Sequence, residues 1–248
     1  MEVLGKISKK INNILDFFVG ILIILIILFS SYSLYTSYNL YKGSYISDEL
    51  KSLKPSIDPD TGILTFDEIR KINSDVVGWI SVDNTNIDHP VVQGKNNLEY
   101  VNKDIYGEFA FEGTIFLDTR NNPKFEDIYS LLYGHHMEHG AMFGDLHLFL
   151  EKDFFEKNKT GKLITEDKEY HVDFFSLVET DGYDSWVFNP ESVKDRSNLV
   201  DFLSYIEFKS TNHKYIEIGE NDRIIGLSTC ESALTNGRKI LYGVIRID

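Results

Sequence analysis

Phe17 to Phe29 reads FFVGILIILIILF, an uninterrupted apolar run inside the wider span Ile14 to Thr36. About twenty residues in a helix rise roughly 30 Å, the thickness of a bilayer's hydrocarbon core, so this segment predicts a transmembrane helix. Lys6, Lys9 and Lys10 precede it, and Tyr32, Tyr35, Tyr38 and Tyr41 crowd its far end. Basic residues stay on the cytoplasmic side and aromatic rings favour the interface, so the N-terminus is expected in the cytoplasm and the rest outside. The alternative is a cleaved signal peptide, for which Ser31 and Ser33 offer a small-x-small pattern. The expected division is a cytoplasmic tip and single-pass cell-membrane anchor over 1–38, a linker and helical segment over 39–64 with Pro55, Pro59 and Gly62, and an extracellular domain over 65–248.

The remaining two hundred or so residues have the means to fold. A chain of 248 residues with 42% hydrophobic and 13% aromatic content can bury a sizeable core, as one domain or two. Its formal charge is −14, and no basic stripe follows the first ten residues, which argues against nucleic acid as a partner. Taking away the net +1 of residues 1–38 leaves −15 on the exported part, which is expected to stand off an anionic lipid surface.

Cysteine usage is informative in that setting. Exported proteins usually pair their cysteines, yet this chain has one, Cys230, which cannot form an intramolecular disulfide. It is either a small buried hydrophobe or a reactive thiol. Around it lies RIIGLSTCESALTNGRKILYGVIRI, two β-branched and aromatic runs separated by a polar segment ending in Asn-Gly, which predicts a hairpin. If Arg223–Cys230 and Arg238–Ile247 are antiparallel neighbours, Cys230 ends one strand where Arg238 begins the other. Arg cannot serve as a base, but its fork of donors suits an oxyanion or a substrate carbonyl, and its charge favours a thiolate.

Three of the seven histidines fall in LLYGHHMEHGAMFG, Leu131 to Gly144. His135, Glu138 and His139 fit the H-x-x-E-H order of a zinc peptidase class, which requires a helix to project both rings from one face. Gly134 and Gly140 bracket the motif, and SLLYGHH reads as a strand end, so the sequence favours a proton-transfer role for these histidines over a metal site. In that reading no metal is needed. His135 stands at the mouth of a strand, free to meet Cys230 in space as nucleophile–base pairs do, with His136 and His139 at the rim.

Together YGHH (Tyr133–His136), LSTC (Leu227–Cys230) and the Arg of NGRKILYGV (Arg238) resemble the three signature blocks of the sortases, membrane-anchored cysteine transpeptidases of Gram-positive bacteria. The resemblance runs from about Asp75 to the C-terminus. DVVGWISVDNTNIDHPVVQGKNNLEYV (Asp75–Val101) and GTIFLDTRNN are similar to the opening strands of class B sortases and the strand and loop after them. The fold implied is mainly β with added helices (α+β): a closed barrel of about eight strands, N-terminal helices, and a helix in the crossover before the Cys strand. Two segments fit those helices. TFDEIRKIN (Thr65–Asn73) has Thr65 to cap and Glu68 to complete a capping box. SVKDRSNLVDFLSYIEF, between the strand-like HVDFFSLVET and KYIEIG, has Ser192 to cap and Val193, Leu199, Phe202, Leu203 and Ile206 at helical spacing.

The resemblance implies roles as well. Cys230 would be the nucleophile, His135 the general acid and base, and Arg238 the donor to substrate carbonyl and oxyanion. Ser228, Glu231 and Tyr133 would line the substrate groove, with Asn97, Tyr100 and Val101 matching its N-x-x-Y-hydrophobic stretch. The implied reaction cleaves a short sorting motif of secreted proteins at a Thr carbonyl and transfers the acyl group to a peptidoglycan stem-peptide amine, without a cofactor. The second histidine departs from the family's pattern and leaves His136 as an alternative base. Beside the transpeptidase stand two other classes: a zinc-dependent peptidase using HHMEH, and a non-catalytic membrane-tethered binding module with inert Cys230. The membrane reading carries a test. Protease added to intact cells is expected to digest the folded domain or the linker near Pro55 and to spare the segment before Phe17. Full protection of the C-terminal part would reverse the orientation.

Overall fold

A computed structural model of the chain describes residues 2–56, 64–230 and 236–247. The chain divides into two compact units, Met1–Gly43 and Ser44–Asp248. The first is a single helix, α1 (Glu2–Ser44), in which Ile7–Tyr38 is long and apolar enough to cross a membrane. Its apolar side chains from Phe17 to Phe29 are exposed along their length, as expected of a helix whose solvent is lipid.

The second unit opens with two short helices, α2 (Asp48–Ser52) and α3 (Asp67–Ile72), followed by strands β1 (Val76–Val82), β2 (Asp88–Val92), β3 (Phe116–Leu117) and β4 (Tyr129–Gly134). A short helix α4 (Lys152–Lys157) leads to β5 (Thr160–Ile164) and the long β6 (Glu169–Asp181). Helix α5 (Arg196–Lys209), β7 (Ser210–His213), β8 (Arg223–Cys230) and β9 (Gly237–Ile245) complete the chain. The strands run in the order β5-β1-β2-β3-β4-β8-β9-β6-β7, and β5 also pairs with β6. That last pairing closes an eight-stranded barrel with β7 appended outside β6. Closure removes the unpaired edges an open sheet would present.

Side-chain alternation explains why the strands read as near-continuous apolar runs. Successive residues face opposite sides of a sheet, and here both sides are covered. Inside the barrel, Ile80, Val91, Leu117, Leu132, Leu163, Leu177, Ile225, Leu227 and Leu241 form one buried cluster. Their strand neighbours Leu131, Val178, Ile224, Ile240 and Tyr242 face outward and are covered by Leu199, Phe202 and Ile206 of α5. On another side Leu50 of α2, with Phe66 and Ile69, packs on Val76, Trp79, Val92 and Phe116. The N-terminal helices therefore belong to the barrel's packing.

Three local expectations differ from the structure. The helix over Thr65–Asn73 is confined to Asp67–Ile72, with Phe66 at its N-cap. Thr65 Oγ1 accepts from the Asp67 N–H at 3.1 Å, and Glu68 pairs with Lys71 instead of completing a capping box. Burial of Phe66 in the barrel contact outweighs the local cap. Ser192 does not cap α5; it lies in a 3-10 turn (Pro190–Val193), and the helix begins after Asp195. Lys214–Gly219 is not a strand, because Ser210–His213 takes the β6 edge and Ile216 and Ile218 pack on the outer cluster. Of the linker residues, Pro55 is buried, and Pro59 and Gly62 lie outside the described residues.

Ile69 is fully buried between α3 and the barrel. Ile69→Ala is expected to cost roughly 2–5 kcal/mol of stability, the range for truncating a buried Ile. Denaturant unfolding of the full chain in detergent measures it, and a loss below about 1 kcal/mol would mean the helices are not integral to the fold.

Candidate active site

β4 and β8 run parallel, with Tyr133 opposite Ser228 and Gly134 opposite Thr229. The pairing stops there, and His135 is the next residue after Gly134 as Cys230 is the next after Thr229, so both come to the same point of the rim. β9 lies antiparallel on the other side of β8, with Cys230 opposite Arg238, and Arg238 is in turn opposite Thr180 of β6. The three residues singled out in the sequence thus stand in one row across three adjacent strands, where β4 and β8 end and β9 begins. Glu231 lies outside the described residues.

Each position has a local cause. β4 stops at Gly134, where a Cβ would lie 2.7 Å from a ring carbon of Phe143. Only glycine admits that ring so close to the strand end, which fits the Tyr-Gly-His order. The half-buried His135 sits with Nε2 2.9 Å from the Val101 carbonyl. A carbonyl oxygen only accepts, so Nε2 carries a hydrogen here and Nδ1 is the nitrogen left to exchange a proton. Arg238 is half-buried and donates from Nη1 to the Gly237 carbonyl at 3.0 Å.

The zinc peptidase arrangement is absent from this segment. His136 bridges Met142, and Glu138–Gly140 is a single 3-10 turn in which His139 takes a φ of 59°. His135 and His139 therefore do not project one helical turn apart, as H-x-x-E-H requires. The His136 ring instead lies 6.1 Å, edge-on, from that of His147.

Beside the row opens a cavity of about 340 Å³. Asn97, Val101, Tyr133, His135, Ser228 and Arg238 all line it. Tyr100 does not: it is buried toward α3, its hydroxyl donating to Asp75 at 2.8 Å and meeting Asn73. Tyr100 anchors the stretch that carries Asn97 and Val101 and does not itself face the groove. Thr114, Phe116, Gly182, Phe188 and Thr229 also line the cavity and were not singled out from the sequence. Phe188 belongs to the crossover between β6 and α5, whose fold no local pattern reveals. The Ser228 hydroxyl is fully buried on this wall and makes no hydrogen bond. A buried hydroxyl in that state gains from any polar group a bound molecule offers it.

A second feature lies behind the wall. Asp118 is fully buried yet carries a salt bridge to Arg120 at 2.7 Å. Burial alone would raise its carboxyl, but hydrogen bonds from Arg120 and Tyr133 and the Arg120 charge hold it below the ordinary carboxylate range. The same contact, with burial as the larger cause, pushes the Tyr133 hydroxyl upward. The motif LDTRNN held this pair in plain view, as an Asp directly after the apolar strand residues and an Arg two positions on.

The Sortase domain family matches residues 80–245 of the chain. Sortase B of Staphylococcus aureus is 34% identical over 182 residues, covering 73% of this chain and 74% of that protein. The crystal structure of a Streptococcus pyogenes class B sortase involved in pilus biogenesis is 43% identical, with a TM-score of 0.67 over 73% of this chain and 98% of that one. The Staphylococcus aureus sortase B–substrate complex is 33% identical, with a TM-score of 0.67 over 73% and 84% of the two chains. The fold and these matches together define the class of protein, a sortase-type cysteine transpeptidase. The chain belongs to the sortase family, on the class B side of it.

Asp118 carries a pH prediction. Its folded pKa lies below the unfolded value of about 4, so its contribution to stability is complete above that pH and lost as pH falls through the folded value. Urea midpoints measured from about pH 5 to about pH 2 are expected to fall less steeply for Asp118→Asn than for wild type. Parallel slopes would show that this carboxylate does not drive acid unfolding.

Proposed function

We propose that the chain is a membrane-tethered transpeptidase that cleaves a short sorting motif near the C-terminus of secreted proteins at a Thr carbonyl and passes the acyl group to a cell-wall peptide amine. The observation that carries the reading is the common register of His135, Cys230 and Arg238 across β4, β8 and β9, beside a cavity sized for a few residues of peptide. The existence of a Staphylococcus aureus sortase B–substrate complex on a similar fold supports reading this chain as one that binds a substrate directly.

In this mechanism the Cys230 thiolate attacks the Thr carbonyl carbon, and the oxygen that takes up the negative charge is met by Arg238, whose fork of donors suits it. Collapse of that intermediate breaks the peptide bond, and His135 supplies the proton the departing amine needs. A thioester remains. The acceptor amine attacks it, gives its proton back to His135, and the thiolate leaves, so the enzyme is restored without oxidant, metal or cofactor. Asn97, Val101, Tyr133, Ser228 and Glu231 are assigned to peptide contacts, and Tyr100 to holding the Asn97–Val101 stretch. The helix within α1 serves as the anchor, with the N-terminus cytoplasmic and the barrel outside the cell.

The test is single-turnover acylation by the full chain, using a pool of quenched pentapeptides each holding one Pro and one Thr. Cys230→Ala is expected to fall to background while melting near wild type, since one small sulfur at a strand end leaves little cavity. Arg238→Lys keeps the charge and loses the fork, and is expected to cut acylation by about 10²-fold. Substantial cleavage by the alanine variant would sink the thiol mechanism, and a near-wild-type rate in the lysine variant would remove Arg238 from the site.

A further inference from the structure

Asp118 follows β3 and does not line the cavity, yet its two oxygens gather groups from three separate parts of the wall. Oδ2 accepts from Asn97 Nδ2 at 2.9 Å, the Tyr133 hydroxyl at 3.0 Å and Arg120 Nη2 at 2.7 Å. Oδ1 accepts from the Arg120 backbone N–H and from Arg120 Nε, each at 2.9 Å. Five donors converge on one buried carboxylate, about as many as its lone pairs accommodate.

Arg120 passes the constraint on to the crossover. Its Nη2 also donates to the Phe188 carbonyl at 2.7 Å, and Nη1 to Asn189 Oδ1 at 3.2 Å. The Phe188 ring stacks with that of Tyr133, centroids 6.4 Å apart and planes 16° from parallel. The other end of this crossover is pinned independently. Gly182 N–H donates to the Asn236 carbonyl at 2.9 Å, and Asn236 Nδ2 to Asp181 Oδ1 at 3.0 Å.

We propose that Asp118 is a positioning residue for substrate: its carboxylate fixes Asn97 and Tyr133 in the lining of the cavity and, through Arg120, the Phe188 segment stacked beside Tyr133. The proposal rests on the transpeptidase reading, because it takes the cavity as the place where peptide binds. The row of His135, Cys230 and Arg238 is held by the backbone pairings of β4, β8 and β9, and the one backbone bond Asp118 adds to them, from its N–H to the Leu131 carbonyl, survives any change of its side chain. Loosening the carboxylate hub therefore releases the walls that grip the peptide and leaves the reacting groups where they are. A preorganised wall avoids ordering its side chains when substrate arrives, so its loss falls on KM more than on kcat. An amide at position 118 has one acceptor oxygen and turns an NH2 toward groups that are themselves donors, so Asn is not a silent replacement.

The experiment compares wild type, Asp118→Asn, Arg120→Gln and the double variant as full chains in detergent, with the quenched pentapeptide pool as probe. Each single variant is expected to raise KM about tenfold with kcat within about twofold, and the double variant no further, because the two residues act as one unit. Amide hydrogen exchange over 182–189 is expected to quicken in Arg120→Gln while β8 and β9 keep their protection. An unchanged KM, a fall in kcat alone, additive effects, or unchanged exchange would each overturn the proposal. Should Asp118→Asn fail to fold, Arg120→Gln decides by KM and exchange together, since Arg120 is partly exposed and the less disruptive change. A wild-type chain that cleaves nothing in the pool sinks the substrate reading and this proposal with it, whereas turnover with unchanged KM in the variants sinks the proposal alone.

Discussion

The parallel pairing of β4 with β8 is the contact on which the rest of the structure depends. It joins segments nearly a hundred residues apart, and because the strands are parallel both end at the same rim. An antiparallel pairing would have sent the histidine strand and the cysteine strand to opposite ends of the barrel. The long excursion between them, through β5, β6, α5 and β7, is the crossover that such a pairing demands. β9 then needs only a hairpin to return Arg238 to the place where β8 stops.

The excursion also builds the walls. β6 reaches Asp181 at the rim, and the chain from there to α5 forms one side of the cavity before the helix covers the outer face of the barrel. Irregular backbone at a rim has no ladder to satisfy it, so the crossover is held by side chains. Asp184 accepts from Thr180 and Tyr205, at 2.8 and 2.6 Å, and the buried Tyr129 hydroxyl donates to the Val187 carbonyl at 3.0 Å. Those bonds have visible electrostatic effects. Burial, reinforced by Asp184, pushes the Tyr205 hydroxyl up to about 12, and burial with the neighbouring Tyr242 pushes Tyr129 well above its ordinary value. These tyrosines serve as fixed donors over the whole working pH range.

The division of labour in the site follows from where each group is rooted. The residues proposed to react lie at strand ends, His135 directly after β4, Cys230 closing β8 and Arg238 near the start of β9, where ladder hydrogen bonds hold the adjoining backbone. The groove is made from loops and a crossover, and its rigidity is supplied by buried polar hubs, Asp118 foremost. A buried carboxylate is costly unless every donor around it is in place, so such a hub specifies one arrangement of its neighbours. Separating the chemistry from the grip in this way lets a barrel of one topology serve different peptides by changing wall residues alone.

By itself the sequence determined a helix long and apolar enough to cross a membrane, since its apolar run continues for several turns without a charge, and the hairpin, since two β-branched runs joined through Asn-Gly pair locally. It also marked His135, Cys230 and Arg238 by residue type and family resemblance, and set α5 by the spacing of Leu199, Phe202 and Ile206. Long-range contacts decided the rest. Thr65 and Ser192 have the chemistry of helix caps, yet burial of Phe66 and the 3-10 turn at Pro190 moved both helix starts, because tertiary packing outweighs a single cap bond. Lys214–Gly219 has the composition of a strand, but the β6 edge was already taken by Ser210–His213. Tyr100 fits the groove pattern by spacing and was turned inward by Asp75 and Asn73, while Phe188 entered the groove from a segment with no pattern at all. Asp118 and Arg120 stood together in LDTRNN, but only the arrival of Asn97, from 21 residues before, and Tyr133, from 15 residues after, at the same carboxylate made it a hub.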